Sequence, residues 1–303
     1  MTLADASAAE DAHRNYRRLG RIYFRRGSRT MVDYLYREIF WRDEYFRHGI
    51  VLRPGDTVFD VGANIGLFAL RAARACGNDL GLFAFEPVPD TFRYLQMNLA
   101  LHGLASRPGV HLLNLGLGAV GGPSRLQFTF YANSPALATA QPEYLARDQA
   151  VVRPRLFEPR ALFAEVRRRG GRLFPLYWAA LAAVYPVAAP ICRRIFNRLY
   201  ADPKPVDCAM TSLSEVVRTH RIQRIDLLKV DVEGAELDVL RGIEGPDWAL
   251  VRQAVVEVHD FDGRLEAAQD LLRQAGFDRM VTTSPPLIDV FKYTGRMIYA
   301  RRS

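Results

Sequence analysis

A carboxylate, an asparagine and two glycines stand together where two apolar segments of this chain meet. In the run VFDVGANIGLFAL, Asp60 closes one segment, and Gly62, Asn64 and Gly66 lead into the next. Glycines at such a join let a ligand approach the backbone, and the start of a following helix offers free N–H groups and the positive end of a dipole. The pattern predicts a ligand-binding turn after a β-strand, unless Asp60 and Asn64 only cap the helix.

The charge and the spacing of this turn indicate which ligand it suits. A carboxylate would repel a pyrophosphate, and the run GANIG, which includes Ala63, has the spacing G-x-x-x-G instead of the G-x-G-x-x-G of dinucleotide binders. A cationic ligand such as a sulfonium suits Asp60 better. Glu86 ends the next apolar run, twenty residues after Gly66, where an acid accepts hydrogen bonds from ribose hydroxyls. A cation together with a ribose points to S-adenosylmethionine and favours the ligand over a simple cap.

A second group of polar residues could assist the transfer of a methyl group from a sulfonium. Lys229, Asp231 and Glu233 alternate in LLKVDVEGAE, and Glu257 and His259 alternate in VVEVHD. In-line displacement needs a positioned acceptor and a base for its proton. His259 is the first candidate for the base, because its unperturbed pKa of about 6.5 lies nearest the working range, and Asp231 is the alternative.

Two further roles are open for the same residues. Lys229 is expected to pair with Glu257 or Glu233 and need not touch the substrate. Asp231, Glu257 and His259 could also hold a divalent cation. Nothing in their spacing singles out a metal site, and we predict none.

Alternating strands and helices are predicted to position these residues. Short apolar runs typical of strands are TVFDV, LGLFAFEP, VHLLNLGLG, IDLLKVDV and AVVEVH, with SRLQFTFY and RMIYARR as two more. Between them lie helical patterns such as GLFALRAARACG, DTFRYLQMNLALHG and RLEAAQDLLRQAGF. This alternation indicates an α/β fold, a mostly parallel sheet with helices on both faces, whose carboxyl strand ends gather the polar residues.

The rest of the chain divides into an extension and an insertion. Residues 1–50 are predicted to form an N-terminal helical extension, because aromatic and aliphatic residues recur among arginines in RNYRRLGRIYF and MVDYLYREIFWRDEYF. Residues 136–206 are predicted to form a basic and apolar helical insertion between 51–135 and 207–303, the two parts of the cofactor-binding domain. The insertion could be a lid, a dimerisation element, or a surface that docks a membrane or a substrate.

One stretch of the insertion raises the question of a membrane span. The twenty residues Leu173–Cys192 carry no charge. A single crossing is excluded, because strands on both sides of it must join one sheet in one compartment. Pro175, Pro186 and Pro190 are expected to break a continuous helix there. Peripheral membrane contact through residues 160–200 stays open.

Charge and cysteine usage set further limits. The segment 151–206 accounts for the whole net charge of +8, since it has eleven Arg and Lys against three Asp and Glu. A uniformly basic nucleic-acid-binding protein is therefore not expected. Cys76, Cys192 and Cys208 have no metal-ligand spacing and fit a reducing, cytoplasmic location. The acidic, polar beginning of the sequence does not resemble a signal peptide.

The motifs VFDVGANIGLFAL, FAFEPVPDTFRYLQMNLALHG, IDLLKVDVEGAELDVLRGI and VVEVH resemble those of the FkbM family of S-adenosylmethionine-dependent methyltransferases. The resemblance covers roughly residues 50–130 and 207–302. It implies a class I methyltransferase fold, Rossmann-like, with a seven-stranded sheet whose last strand is antiparallel. It also implies a set of cofactor residues: Asp60, Gly62, Ala63, Asn64 and Gly66 in the first loop, Glu86 and Pro87 at the ribose, Asn114 and Leu115 along the adenine, and Asp231.

The sequence thus predicts an S-adenosylmethionine-dependent O-methyltransferase. Its acceptor is expected to be a hydroxyl of a small molecule, sugar, lipid or carrier-bound natural-product intermediate. An N-methyltransferase stays open, as does a non-catalytic module of the same fold that docks a membrane or a partner through its insertion. A nucleotide-dependent oxidoreductase is disfavoured by Asp60 and by the glycine spacing. Nucleic acid is not an expected partner, and no oligomeric state is predicted.

Overall fold

The computed structural model of the protein describes residues 11–147, 150, 174–284 and 295–303, and it opens on a β-hairpin. Strands β1 (Asp11–Tyr16) and β2 (Gly20–Arg25) pair antiparallel, and helix α1 (Arg29–Phe40) follows. The helix predicted for RNYRRLGRIYF is therefore wrong, whereas the helix predicted for the next pattern is confirmed. Ile22 and Phe24 alternate onto the buried face of β2, which is the periodicity of a strand.

The central sheet contains seven strands. In chain order they are β3 (Asp56–Val61), β4 (Leu80–Phe85), β5 (Val110–Leu113), β9 (Leu227–Val230), β10 (Gln253–His259), β11 (Arg279–Thr283) and β12 (Gly295–Arg301). They lie side by side in the order β11-β12-β10-β9-β3-β4-β5, and β12 runs antiparallel to both of its neighbours. The prediction of a mostly parallel sheet with an antiparallel last strand is confirmed.

Helices cover both faces of this sheet. They are α2 (Leu67–Ala75), α3 (Pro89–Leu101), α5 (Leu213–His220), α6 (Glu236–Arg241) and α7 (Arg264–Gln274), while α4 (Phe174–Leu199) belongs to the insertion. Because successive strand residues point to opposite faces, Val58 packs in the apolar cluster with α2 and α3, and Phe59 packs in the cluster with α5, α6 and α7. The two apolar layers hold the carboxyl strand ends at one edge.

A second, three-stranded sheet lies outside the central one. It consists of β6 (Gly116–Leu117), β7 (Arg125–Tyr131) and β8 (Pro203–Thr211), in the order β6-β8-β7. The strand predicted for SRLQFTFY is confirmed as β7, which pairs antiparallel with β8. Since β8 begins at Pro203, the helical character predicted for the insertion does not extend to residue 206. Two prolines at its start hide this strand from sequence patterns.

The helix α4 of the insertion is continuous through Pro186 and Pro190. The predicted break is therefore wrong: each proline removes its own N–H bond, while the other helical hydrogen bonds persist. Pro175 lies in the first turn, where proline is tolerated. Among the described residues, no helix has the length and apolar character needed to cross a bilayer. Residues 148, 149 and 151–173 lie outside the described part, so lid, dimerisation and membrane-docking roles stay predictions.

Candidate active site

A cavity of about 1050 Å³ opens at the carboxyl edge of the central sheet. Its lining comes from the turn after β3, from the ends of β4, β9 and β10, from α1, and from the loops 115–124 and 135–141. Small-molecule sites have volumes of roughly 300–1,000 Å³. The cavity therefore has room for a nucleoside-sized cofactor and an acceptor together.

The turn after β3 lines this cavity with Gly62, Ala63 and Asn64, as predicted. Gly62 has a φ of +78°, and a Cβ built on it would lie 1.9 Å from the carbonyl oxygen of Asp231. No side chain can be accommodated there. Asn64 also has a positive φ, of +49°, and its Oδ1 accepts a hydrogen bond from the N–H of Ile65 at 2.7 Å. The turn is thus pressed against β9 and presents its backbone to the cavity.

Glu86 lines the cavity from the end of β4 and is held in place by backbone groups. Its Oε1 accepts the N–H of Val88, and its Oε2 accepts the N–H of Asn64, each at 3.0 Å. Burial raises the pKa of Glu86 to about 7, although the two N–H groups act in the opposite direction. Each carboxylate oxygen retains a lone pair for a further donor. Glu86 can therefore accept two hydroxyl groups of a ligand, as predicted for a ribose.

Two of the predicted cofactor residues belong to the scaffold instead. Gly66 does not line the cavity, and a Cβ on it would lie 2.7 Å from Leu99 Cδ1, so this glycine permits close packing against α3. Asn114 donates from Nδ2 to the carbonyl oxygens of Glu86 and Pro87, at 2.8 and 3.0 Å. Its neighbour Leu115 does line the cavity, as does Pro87.

Asp60 occupies a different environment from the one predicted. It is fully buried, and its Oδ1 lies 3.0 Å from Lys229 Nζ. Lys229 also donates to the carbonyl oxygen of Gly62 at 2.8 Å. Burial alone would lower the pKa of Lys229, but Asp60 and Asp231 outweigh it and raise this pKa. The cation that Asp60 meets is thus a side chain of the same protein, and Lys229 pairs with Asp60 and Asp231 rather than with Glu257 or Glu233.

Asp231 follows β9 and lines the cavity. Its Oδ2 accepts a hydrogen bond from the Tyr45 hydroxyl at 2.8 Å and lies 3.5 Å from Lys229 Nζ. Burial raises the pKa of Tyr45 well above its ordinary value, so the phenol keeps its proton and acts as the donor. A donor and a cation thus hold the Asp231 side chain in place at the cavity wall. The sequence analysis did not include Tyr45, which lies 186 residues away in the chain.

His259 does not line the cavity, and its surroundings differ from those of a general base. Its Nδ1 lies 2.7 Å from Glu236 Oε1, and its Nε2 lies 3.5 Å from Glu233 Oε2. Burial alone would lower the pKa of His259, but the two glutamates raise it to about 10. An imidazolium that keeps its proton at neutral pH cannot accept another. Since Glu236 also accepts the N–H of Gly234 at 2.9 Å, His259 orders the turn that carries Glu233.

Helix α1 contributes residues that the sequence analysis missed. Tyr34 and Glu38, one helical turn apart, line the cavity from α1, and Arg42 lines it from the segment just after this helix. Glu257 lines it from β10 as predicted. Their spacing is that of any polar stripe on a helix, so no sequence signal marked them. Within the described part of the chain, no three His, Cys, Asp or Glu side chains are placed to hold a metal ion. The expectation of a site without metal stays a prediction.

Several known proteins similar to this chain are methyltransferases by name. The model of the Methyltransferase FkbM domain matches residues 181–279. The 31-O-demethyl-FK506 methyltransferase FkbM of Streptomyces tacrolimicus is 34% identical over 254 residues, which are 84% of this chain and 85% of that relative. The chain belongs to the FkbM methyltransferase family. Methyltransferase sdnD of Sordaria araneosa is 32% identical to this FkbM-family chain over 260 residues, which are 83% of this chain and 84% of that relative.

A crystal structure of an FkbM methyltransferase from Methylobacillus flagellatus is a more distant likeness. The two sequences are 11% identical, and the superposition has a TM-score of 0.45. It covers 87% of this chain and 47% of the Methylobacillus chain. The family assignment rests on the relatives instead. It makes the protein a methyltransferase, and the family implies S-adenosylmethionine as the methyl donor.

The residues of this FkbM methyltransferase fit that donor. Gly62 lets a ligand approach the backbone of the first turn, and Glu86 keeps acceptor capacity for two hydroxyls. Pro87 and Leu115 offer apolar surface next to Glu86, suited to an adenine ring. The described residues can therefore hold a nucleoside at one end of the cavity, which leaves the space beside Asp231, Glu257 and α1 for an acceptor.

Proposed function

We propose that this FkbM methyltransferase methylates a hydroxyl group of a small-molecule or carrier-bound natural-product intermediate. The observation that supports this most directly is that Glu86, the turn Gly62–Asn64 and the hydrogen-bonded carboxylate of Asp231 line one cavity. An oxygen acceptor is also supported by the name of the Streptomyces relative, which refers to an O-demethylated compound. The mostly apolar walls suit an acceptor with a hydrocarbon body.

The chain's own residues have three tasks in such a transfer. When bound, S-adenosylmethionine supplies an electrophilic methyl group. The protein must orient the acceptor hydroxyl, take its proton and keep water away. Apolar residues that can exclude water line the same cavity: Met31, Leu35, Ile39, Phe68, Leu126 and Phe128.

We assign the proton to Asp231 rather than to His259. The Asp231 carboxylate borders the cavity and is oriented by the Tyr45 hydroxyl and the Lys229 ammonium. As the oxygen–methyl bond forms, the hydroxyl proton passes to an Asp231 oxygen. The role proposed for His259 is to position the turn around Glu233, through its contact with Glu236. Of the two bases considered from the sequence, we therefore propose the second, Asp231.

The cofactor half of the proposal is tested by calorimetric titration with S-adenosylmethionine, S-adenosylhomocysteine and NAD. The wild type is expected to bind both sulfur compounds and not NAD. Glu86→Ala should weaken both by at least about tenfold, since hydrogen bonds to a charged group contribute about 1.5–3 kcal/mol. The exposed Glu266 on α7 supplies the matched control, Glu266→Ala, with unchanged affinity. Binding of NAD alone, or of none of the three, would contradict the assignment.

The acceptor half is tested with Asp231→Asn. Hydroxylated natural products are incubated with S-adenosylmethionine and the enzyme, and the methylated atom is located by mass spectrometry and NMR. We expect oxygen methylation that falls by roughly 10²–10⁴ in Asp231→Asn, while S-adenosylhomocysteine still binds. Methylation of nitrogen alone would contradict the hydroxyl acceptor. Full activity in Asp231→Asn would contradict the assignment of the proton to Asp231.

A further inference from the structure

Glu38 on helix α1 is a buried carboxyl group that faces the cavity. It is 8% exposed and lines the cavity wall. In the part of the chain that the structure describes, its side chain has no hydrogen-bond or ion-pair partner. Its carboxyl oxygens are open to the cavity instead of being bound to a protein group. Glu38 is therefore placed to receive a polar group from a ligand.

A second carboxyl group, that of Glu257 on β10, lines the same cavity. It too has no hydrogen-bond or ion-pair partner among the described residues. Two carboxyl groups from elements far apart in the chain thus border one space. Both are therefore free to interact with a ligand in this space.

The groups around these two carboxyls are mostly acidic. Those that face Glu38 are Asp231, Glu257, Glu44, Arg42 and Lys229, with Tyr34 and Tyr45. Glu233, Glu236 and His259 act on Glu257 from the other side. The ammonium of Lys229 is already committed to Asp60, Asp231 and Gly62. The region has more acidic groups than cations to balance them.

The pKa values of Glu38 and Glu257 agree with this shortage of cations. Burial, and then the neighbouring Asp231, raises the pKa of Glu38 to about 8. The same two causes raise the pKa of Glu257 well above its ordinary value. A cation bound between them would favour their ionised forms. Aromatic rings add to this preference, since Tyr34, Tyr45 and Phe68 border the same space and ring faces attract cations.

We propose that Glu38 and Glu257 form a subsite for an organic cation, a protonated amine carried by the methyl acceptor. The proposal rests on the proposed function, because it assigns one end of the same cavity to the acceptor. It narrows the substrate class to hydroxylated compounds with an amino group. S-Adenosylmethionine also carries cationic groups, its sulfonium and its ammonium, so the test has to separate the two sources.

The first arm of the test measures the cofactor. S-Adenosylmethionine and S-adenosylhomocysteine are titrated into the wild type, Glu38→Gln, Glu257→Gln and the control Glu266→Gln. Unchanged affinity for both compounds in all four proteins is the expected result. A tenfold loss for S-adenosylmethionine alone would place the sulfonium in the subsite, and an equal loss for both compounds would place the cofactor's ammonium there. Either loss overturns the acceptor assignment.

The second arm measures the cation itself. Hexylamine and 1-hexanol are titrated into protein saturated with S-adenosylhomocysteine, at pH 7 and in buffers of different ionisation enthalpy. Hexylammonium is expected to bind with release of protons, and to bind at least tenfold more weakly to Glu38→Gln and Glu257→Gln than to Glu266→Gln. The affinity for 1-hexanol should be equal in all of them.

Two results would overturn the subsite. One is that 1-hexanol binds as well as hexylammonium, and the other is that the glutamine variants bind hexylammonium as the wild type does. Failure of the wild type to bind S-adenosylhomocysteine would instead refute the proposed function, so the two failures are distinguishable. Far-ultraviolet circular dichroism and thermal melting confirm that each variant is folded.

Discussion

Lys229 Nζ lies 3.0 Å from Asp60 Oδ1, and these two residues are direct partners in the parallel pairing of β9 with β3. Both side chains are buried, and the same ammonium reaches the carbonyl oxygen of Gly62. The ion pair therefore ties the two central strands to the turn that lines the cavity. The ion pair therefore stabilises the position of this turn from inside the protein and does not contact a ligand.

Removal of the Lys229 ammonium should destabilise the folded protein. Lys229→Met leaves the Asp60 carboxylate buried without its counter-ion, and we expect the free energy of unfolding to fall by about 3–5 kcal/mol. Lys229→Met combined with Asp60→Asn should recover part of that loss, because no buried charge is left. The measurement is urea unfolding at pH 7. The exposed Lys204→Met on β8 is the control, and a loss for Lys229→Met no larger than the control's would refute the account.

Gly62 offers a comparison between a steric clash and backbone strain. Gly62→Ala places a methyl group 1.9 Å from the Asp231 carbonyl oxygen, whereas Gly55, with a similar φ of +84°, has nothing within 4 Å of its Cβ position. Gly55→Ala should cost only the left-handed backbone, about 1–2 kcal/mol. Gly62→Ala should cost clearly more and should also abolish S-adenosylhomocysteine binding. Equal costs in urea unfolding, with binding intact, would show that the turn can move away from β9.

Most of the central sheet could be predicted from the sequence, because its strands are short apolar runs that end on polar residues. The hairpin of β1 and β2 could not, since its few apolar residues stand among arginines whose spacing also fits a helix. The turn at Gly62 and the carboxylate of Glu86 were predictable from residue type and spacing. The burial of Asp60 under Lys229 was not, because opposite residues on neighbouring strands leave no mark along the chain.

His259 gives a pH-dependent prediction. Its pKa is about 10 in the folded protein, against an ordinary value of 6.5. The unfolded chain therefore loses this proton first as the pH rises, and the stabilisation by the imidazolium is complete below about pH 6.5 and lost towards pH 10. His259→Gln should be about 3–5 kcal/mol less stable than the wild type at pH 6. That difference should shrink as the pH approaches 10.

The measurement is urea unfolding of both proteins between pH 5.5 and 10, with the exposed His13→Gln as the control. If the difference between wild type and His259→Gln stays constant over this range, the imidazole is neutral in the folded protein. That result would contradict the ion pairs assigned to His259.

Glu38 should show a pH dependence of the same direction in a lower pH range. Its pKa is about 8 in the folded protein, against an ordinary 4.5, so between these values the folded state holds a proton that the unfolded state has lost. The contribution of Glu38 to stability therefore decreases as the pH rises from about 4.5 to 8 and is constant above. Glu38→Gln lacks this decrease. Relative to the wild type it should gain stability over that range, by on the order of a few kcal/mol.

Thermal melting between pH 5 and 9 checks this, with Glu266→Gln as the exposed control. Parallel curves for wild type and Glu38→Gln would mean that Glu38 ionises normally in the folded chain. An organic cation in the buffer should reduce the difference in stability between the wild type and Glu38→Gln. The buffer is therefore chosen free of amines.

Tyr34 and Glu38 belong to α1 and Arg42 follows its C-terminal end, so all three lie outside the central sheet. A mutant library restricted to these three positions would reshape the cavity without altering any strand or the turn after β3. Selectivity could therefore be re-engineered, or diverge between homologues, while the machinery that recognises the methyl donor stays unchanged. Exchange of residues 29–46 between relatives would be the corresponding graft, and its hybrids should differ in which compounds they methylate rather than in how they use the donor.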